Sequence, residues 1–116
     1  MSAIAVQGAA GRVGTAIMST LISRGHSIAA AFEHKNSPQI GKKVGALLQK
    51  SDVDVCFETM NPESLSKADG VIDFSSPEAT NQLLSLAVQV KKPIVIGTTG
   101  LSESQTAEIK SASEKI

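Results

Sequence analysis

Ala3-Ile-Ala-Val-Gln-Gly-Ala-Ala-Gly-Arg-Val-Gly14 is an apolar run that breaks into glycines at Gly8, Gly11 and Gly14. Ala3 to Val6 reads as a short buried strand, and Val13, Ala16, Ile17, Thr20 and Leu21 then recur at helical spacing. A chain that turns sharply from strand to helix needs residues tolerant of unusual φ/ψ, and no side chain where a ligand approaches the backbone. The free N–H groups of the helix start, with the positive end of its dipole, make an anion site suited to a pyrophosphate. The pattern is G-x-x-G-x-x-G, and Ala9 takes the first glycine position of the usual G-x-G-x-x-G dinucleotide fingerprint. By itself such a turn also fits a connection that binds nothing. Arg12 adds a guanidinium beside the backbone donors, a group suited to phosphate.

A dinucleotide site also needs an acidic residue about 20 residues on, at the end of the second strand, to hydrogen-bond the adenosine ribose. Ser27 to Phe32 reads as that strand, and Glu33 follows it. His34 and Lys35 come next, two cationic candidates where the 2'-phosphate of NADP would lie. Acid and base side by side point to a site that tolerates both NADH and NADPH.

Composition narrows the alternatives. The 116 residues give one domain with a modest core. With 11 basic and 11 acidic residues there is no electrostatic footprint for nucleic acid or a membrane surface. Three phenylalanines without tyrosine or tryptophan leave little for stacking bases. The lone Cys56 excludes an internal disulfide and a multi-cysteine metal site, fits a reducing compartment, and falls among Val53, Val55 and Phe57 as a buried structural thiol. No stretch approaches the roughly 18 to 20 apolar residues needed to cross a membrane, and no secretory signal pattern opens the chain. A cytoplasmic protein is expected.

Further along, Gly25 is a candidate helix stop and His26 a loop or capping residue. Ile40, Val44, Leu47 and Leu48 fit one face of a weak helix interrupted by Gly41 and Gly45. Val53, Val55 and Phe57 alternate with Asp54, Cys56 and Glu58 as a short strand at a sheet edge. Pro62 to Ala68 can hold a short helix. Gly70 to Phe74 is a strand, Ser75-Ser76-Pro77-Glu78 a helix start, and Leu83, Leu84, Ala87 and Val90 its buried face. Pro93 to Ile96 reads as another buried strand, and Gly97-Thr98-Thr99-Gly100 ends it. Ser102 and Gln105 form a capping box for a last helix carrying Ile109, Ala112 and Ile116.

Strands that alternate with helices call for a parallel sheet with helices on both faces, an α/β, doubly wound, Rossmann-like fold. Ligands bind there beyond the carboxyl ends of the strands. Gly8 to Gly14, Glu33 to Lys35, Phe74 to Pro77 and Gly97 to Gly100 should therefore converge on one crevice.

Gly8-Ala-Ala-Gly-Arg-Val-Gly14, Val71-Ile-Asp-Phe-Ser-Ser-Pro-Glu-Ala-Thr80 and Lys92-Pro-Ile-Val-Ile-Gly-Thr-Thr-Gly-Leu101 together resemble the amino-terminal domain of the dihydrodipicolinate (4-hydroxy-tetrahydrodipicolinate) reductases. That family works in the diaminopimelate route to lysine with NADH or NADPH as cofactor. The resemblance implies that Gly8, Ala9, Ala10, Gly11, Arg12 and Val13 wrap the pyrophosphate and that Glu33 holds the ribose. It places His34 where many members carry arginine for the 2'-phosphate. Gly97, Thr98 and Thr99 would line the nicotinamide side, with Thr99 near the substrate carboxylate. It further implies that the acid, the substrate-binding residues and the tetramer contacts lie in a second domain. Residues 1–116 would then be a nucleotide-binding fragment of a homotetramer acting on a small dicarboxylate, inactive alone and with exposed apolar surface.

No pair within the chain makes a convincing catalytic set: Asp73 and Glu78 read as a strand-end capping residue and a first-turn charge favoured by the helix dipole. The alternative function is a stand-alone nucleotide or coenzyme A sensor without catalysis, against which Glu33 speaks. Another two-domain dehydrogenase of the same fold is the third reading.

Overall fold

Apolar residues on both faces of a strand require cover on both faces, and β1 (Ala3–Gln7) receives it. The computed structural model describes residues 2–114. Its further strands are β2 (Ser27–Phe32), β3 (Phe57–Glu58), β4 (Gly70–Asp73) and β5 (Ile94–Ile96). Its helices are α1 (Arg12–Ser23), α2 (Val44–Leu48), α3 (Pro62–Ser66), α4 (Pro77–Val90) and α5 (Glu103–Ser113). The five strands lie in the order β3-β2-β1-β4-β5, and every neighbouring pair is parallel. From β1 the chain winds outward through β2 to β3, then crosses back to β4 and β5. The strand order reverses between β1 and β4, which is where such sheets open a ligand crevice. The doubly wound α/β expectation is met.

Two apolar layers hold the sheet. Val6, Ala9, Met18, Ile28, Ala31, Val44 and Phe57 form one, with Ile17, Leu21 and Ile22 of α1 packed against it. Ala5, Ala30, Phe32, Leu65, Ala68, Val71 and Leu83 form the other, beneath α3 and α4. Helix starts follow the local chemistry. Ser76 accepts from the Ala79 N–H ahead of Pro77, and Ser102 and Gln105 form the complete capping box of α5. Gly25, at φ +83°, closes α1. His26 takes a loop role, its Nδ1 accepting from the Ser2 N–H at 3.0 Å. No helix among the described residues is long and apolar enough to cross a membrane.

Several local expectations are corrected. The buried stripe of α1 runs through Gly14, Ile17, Met18, Leu21 and Ile22, while Val13 is 48% exposed and Ala16 and Thr20 face solvent. Close approach of Gly14 to the Gly8 carbonyl and to Ala9 sets that rotation. The weak helix shrinks to Val44–Leu48, with Ile40 outside it and Leu47 exposed. Gly45 is no interruption: a side chain there would collide with the carbonyl oxygens of Lys50 and Val53. The alternating run from Val53 forms a strand only at Phe57–Glu58, at the sheet edge as expected. Cys56 is exposed, because Phe57 takes the inward position and the side chain before it must point the other way. β5 is an edge strand whose Val95 is 64% exposed, so only one of its faces is covered. The expected role of Ile116 lies outside the described residues.

Gln7 closes β1 at 5% exposure, beside Phe32 and Asp73 in the ladder, and its Oε1 is buried without a partner among the described residues. An unpaired buried acceptor costs about 1–3 kcal/mol, and methionine nearly matches glutamine in length. Gln7→Met is therefore expected to be as stable as the parent or more so in urea unfolding. A loss above about 1 kcal/mol would show that the carboxamide makes a favourable interaction after all.

Candidate functional site

The turn after β1 is built by its glycines. Gly8 adopts φ +79°, and a Cβ there would run into the Phe74 carbonyl, so the turn lies flush against the end of β4. Gly8 and Ala9 both donate their N–H groups to the Phe32 carbonyl, at 3.0 and 3.1 Å, which ties the turn to the end of β2. Gly11 caps α1 in extended geometry, and no side chain caps that end. Among the described residues the first-turn donors of α1 thus lack a capping side chain, and donors of that kind can hold an anion.

Glu33 is joined directly to this turn. Its Oε2 accepts from the Ala10 N–H at 2.9 Å and its Oε1 from the His34 N–H at 3.2 Å. Each carboxylate oxygen carries two lone pairs, so acceptor capacity remains for a vicinal diol. His34, Lys35 and Arg12 are all solvent-exposed. The ion pair recorded among the described residues, Lys43 with Asp54 at 3.9 Å, involves none of them. Among the described residues, these three cations thus make no ion pair, and His34 and Lys35 directly follow Glu33 in the chain.

On the other side of Gly8, the loop after β5 meets the end of β4. The Gly97 N–H donates to the Asp73 carbonyl at 2.7 Å, and a Cβ on Gly97 would enter the Phe74 ring. Thr98 is buried, its Oγ1 accepting from the Ser75 N–H at 2.9 Å and donating to Asp73 Oδ2 at 3.1 Å. Thr99 and Gly100 are exposed.

The structure thus brings Gly8, Ala9, Ala10 and Glu33 together by hydrogen bonds and seats Gly97 and Thr98 against Phe74 and Ser75. Gly11, Arg12, Val13, His34 and Thr99 lie on the exposed rim. The Thr98 hydroxyl turns inward, whereas Thr99 is exposed. Asp73 and Glu78 do not pair: Asp73 is fully buried among hydroxyls and Glu78 is exposed. Two concavities lie elsewhere, one bounded by Lys43, Gln49 and Val53 and one between α4 and α5. The crevice is accordingly defined by its backbone donors and its carboxylate rather than by depth. Sequence reasoning did not foresee Phe74 packing over Gly97; its only signal was an aromatic residue at a strand end otherwise lined by small side chains.

Residues 2–116 match the family model described as dihydrodipicolinate reductase, N-terminus. The chain is 38% identical to the 4-hydroxy-tetrahydrodipicolinate reductase of Pseudoalteromonas atlantica, over all of this chain and 44% of that protein. It is 38% identical to that of Bordetella pertussis, over 97% of this chain and 42% of the relative. The chain thus spans less than half the length of these curated relatives. Among solved structures it resembles a dipicolinate-bound dihydrodipicolinate reductase from Paenisporosarcina sp. TG-14, with a TM-score of 0.72 at 24% identity over 98% of this chain and 43% of that one. It also resembles aspartate semialdehyde dehydrogenase II from Vibrio cholerae, with a TM-score of 0.64 at 16% identity over 85% of this chain and 28% of that one. At those identities the two likenesses speak for the fold alone.

Proposed function

Because the chain belongs to the dihydrodipicolinate reductase family and corresponds to its amino-terminal part, we propose that residues 1–116 bind NADH or NADPH for a reductase acting on 4-hydroxy-tetrahydrodipicolinate. The observation that carries this reading is the 2.9 Å hydrogen bond from the Ala10 N–H to Glu33 Oε2, which unites an anion-binding turn with a ribose-binding carboxylate. A coenzyme A site would not call for a carboxylate at that position.

Gly8, Ala9, Ala10, Gly11, Arg12 and Val13 receive the pyrophosphate, with the first-turn donors of α1 and the Arg12 guanidinium countering its charge. Glu33 accepts from the adenosine ribose. His34 and Lys35 lie close enough in sequence to compensate a 2'-phosphate, so both cofactors are accommodated. Gly97, Thr98 and Thr99 line the nicotinamide side. The bound cofactor would supply the hydride, and these residues orient it and shield one side of it. The substrate is a small dicarboxylate, in keeping with the name that the curated reductase relatives carry. Acid chemistry and substrate contacts, together with assembly into a homotetramer, belong to segments of a full-length protein beyond this chain.

Calorimetric titration of the chain with NADH and NADPH tests the proposal. Both should bind with comparable affinity. Glu33→Ala should weaken both by roughly tenfold or more, the worth of about 1.5–3 kcal/mol for hydrogen bonds to a charged group. Binding of only one cofactor would overturn the dual-cofactor part, and an unaffected Glu33→Ala variant would overturn the ribose assignment.

A further inference from the structure

We infer that Asp73 is a positioning residue whose buried carboxylate holds the Gly97–Thr99 loop at the crevice and so sets affinity for the nicotinamide half of the dinucleotide. The inference rests on the dinucleotide reading above and adds to it a residue that touches no cofactor.

Asp73 ends β4 with no exposed surface, and three hydroxyls converge on it. Its Oδ1 accepts from Ser75 Oγ, and its Oδ2 accepts from Thr80 Oγ1 of α4 and from Thr98 Oγ1. One carboxylate therefore ties together the end of β4, the first turns of α4 and the loop after β5. A carboxylate buried without a cationic partner is costly, and hydrogen-bond donors must offset the cost. The sheet does not require it: β4 and β5 are already joined by their ladder and by the Gly97 N–H on the Asp73 carbonyl. What the carboxylate adds is direction. It accepts only, so each hydroxyl must aim its proton at Asp73. Thr98 Oγ1 then has its lone pairs free for the Ser75 N–H, at 2.9 Å, and the loop is held in one pose against β4. An amide at position 73 would accept with one atom and donate with the other, which reverses one arm of the network.

Asp73→Asn, Thr98→Val and Thr98→Ser, titrated with NADH and with ADP-ribose, provide the test. ADP-ribose has the adenosine, pyrophosphate and second ribose but no nicotinamide. Asp73→Asn and Thr98→Val should weaken NADH by about tenfold while ADP-ribose stays within about twofold, and Thr98→Ser, which keeps the hydroxyl, should recover most of the NADH affinity that Thr98→Val loses. Equal weakening of the two ligands, or none, overturns the inference. If the parent binds neither ligand, the dinucleotide reading fails, and amide hydrogen exchange then decides the role of Asp73. Loss of protection at Ser75 and Gly97 in Asp73→Asn, with β1 unchanged, supports the positioning role, and unchanged protection overturns it. Should Asp73→Asn fail to fold, Thr98→Val against Thr98→Ser carries the same comparison.

Discussion

Gly8→Ala is expected to destabilise the domain by about 2–5 kcal/mol and to remove binding at the turn. Two costs combine. At φ +79° a residue with a Cβ sits in the left-handed region, which costs about 1–2 kcal/mol. The added methyl would also strike the Phe74 carbonyl, 2.8 Å from its carbon and 3.3 Å from Ser75 Cα. Overpacking of this kind costs about 1–3 kcal/mol, and here the obstacle is backbone rather than a side chain that can swing aside. That backbone is pinned by the Phe74 N–H on the Gln7 carbonyl at 3.1 Å and by the Gly97 N–H on the Asp73 carbonyl. The turn must therefore move, and with it the donors proposed to receive the pyrophosphate. Gly14→Ala makes a comparable collision with the Gly8 carbonyl and Ala9, yet it lies within α1, where alanine returns about 1 kcal/mol of helix propensity. Gly11→Ala meets only the Gly8 oxygen at 3.4 Å and should be nearly neutral for stability. Urea midpoints should fall in the order Gly11, Gly14, Gly8 as the damage grows, and a Gly8→Ala variant with parental midpoint and NADH affinity would refute the packing argument.

That ordering depends on contacts only partly legible in the sequence. Where a local signal and an apolar period agree, the reading reaches the residue: Ser27–Phe32 is a strand over the expected span, and Ser76-Pro77 opens α4 above Leu83, Leu84 and Ala87. The segment from Asn36 to Phe57 is different. There the chain is held by scattered backbone bonds, Gly41 N–H to the Phe57 carbonyl and Val44 N–H to the Val55 carbonyl, both at 2.8 Å, plus a Lys43–Cys56 bridge. Val53 and Val55 pack against the layer beneath α1 without joining the ladder, so their alternation imitates a longer strand. The rotation of α1 escaped for a related reason. Apolar content alone favoured Val13, whereas a glycine contact chose the face. At the candidate site, the meeting of the glycine turn with Glu33 was legible because motif and strand end coincide. The hydroxyl network around Asp73 was not, since no periodicity relates residues 73, 75, 80 and 98 until the sheet brings them together.

Phe32→Ala is expected to cost about 3–5 kcal/mol, the range for losing a buried aromatic side chain. Domains of this kind have about 5–15 kcal/mol in total, so the variant should stand near the limit of folding. The upper end of the range is favoured by its surroundings. Phe32 is fully buried, and Ala5, Ala30 and Ala68 in its cluster are too small to fill the space it leaves. With three phenylalanines and no tyrosine or tryptophan, the chain has few aromatic side chains to take its place. Phe32→Leu, which keeps most of the volume, should cost less than about 1.5 kcal/mol. The same residue also serves the site, because its carbonyl receives the Gly8 and Ala9 N–H groups. Core and turn can be separated by mass action: a ligand at 100 times its Kd stabilises the state that binds it by about 2.7 kcal/mol. If β2 keeps its course and only packing is lost, NADH should raise the Phe32→Ala midpoint as much as it raises the parent's at equal multiples of Kd. A destabilised variant with parental NADH affinity would confine the damage to the core, whereas one that no longer binds would show that the cavity reaches the carbonyl on which the turn is hung.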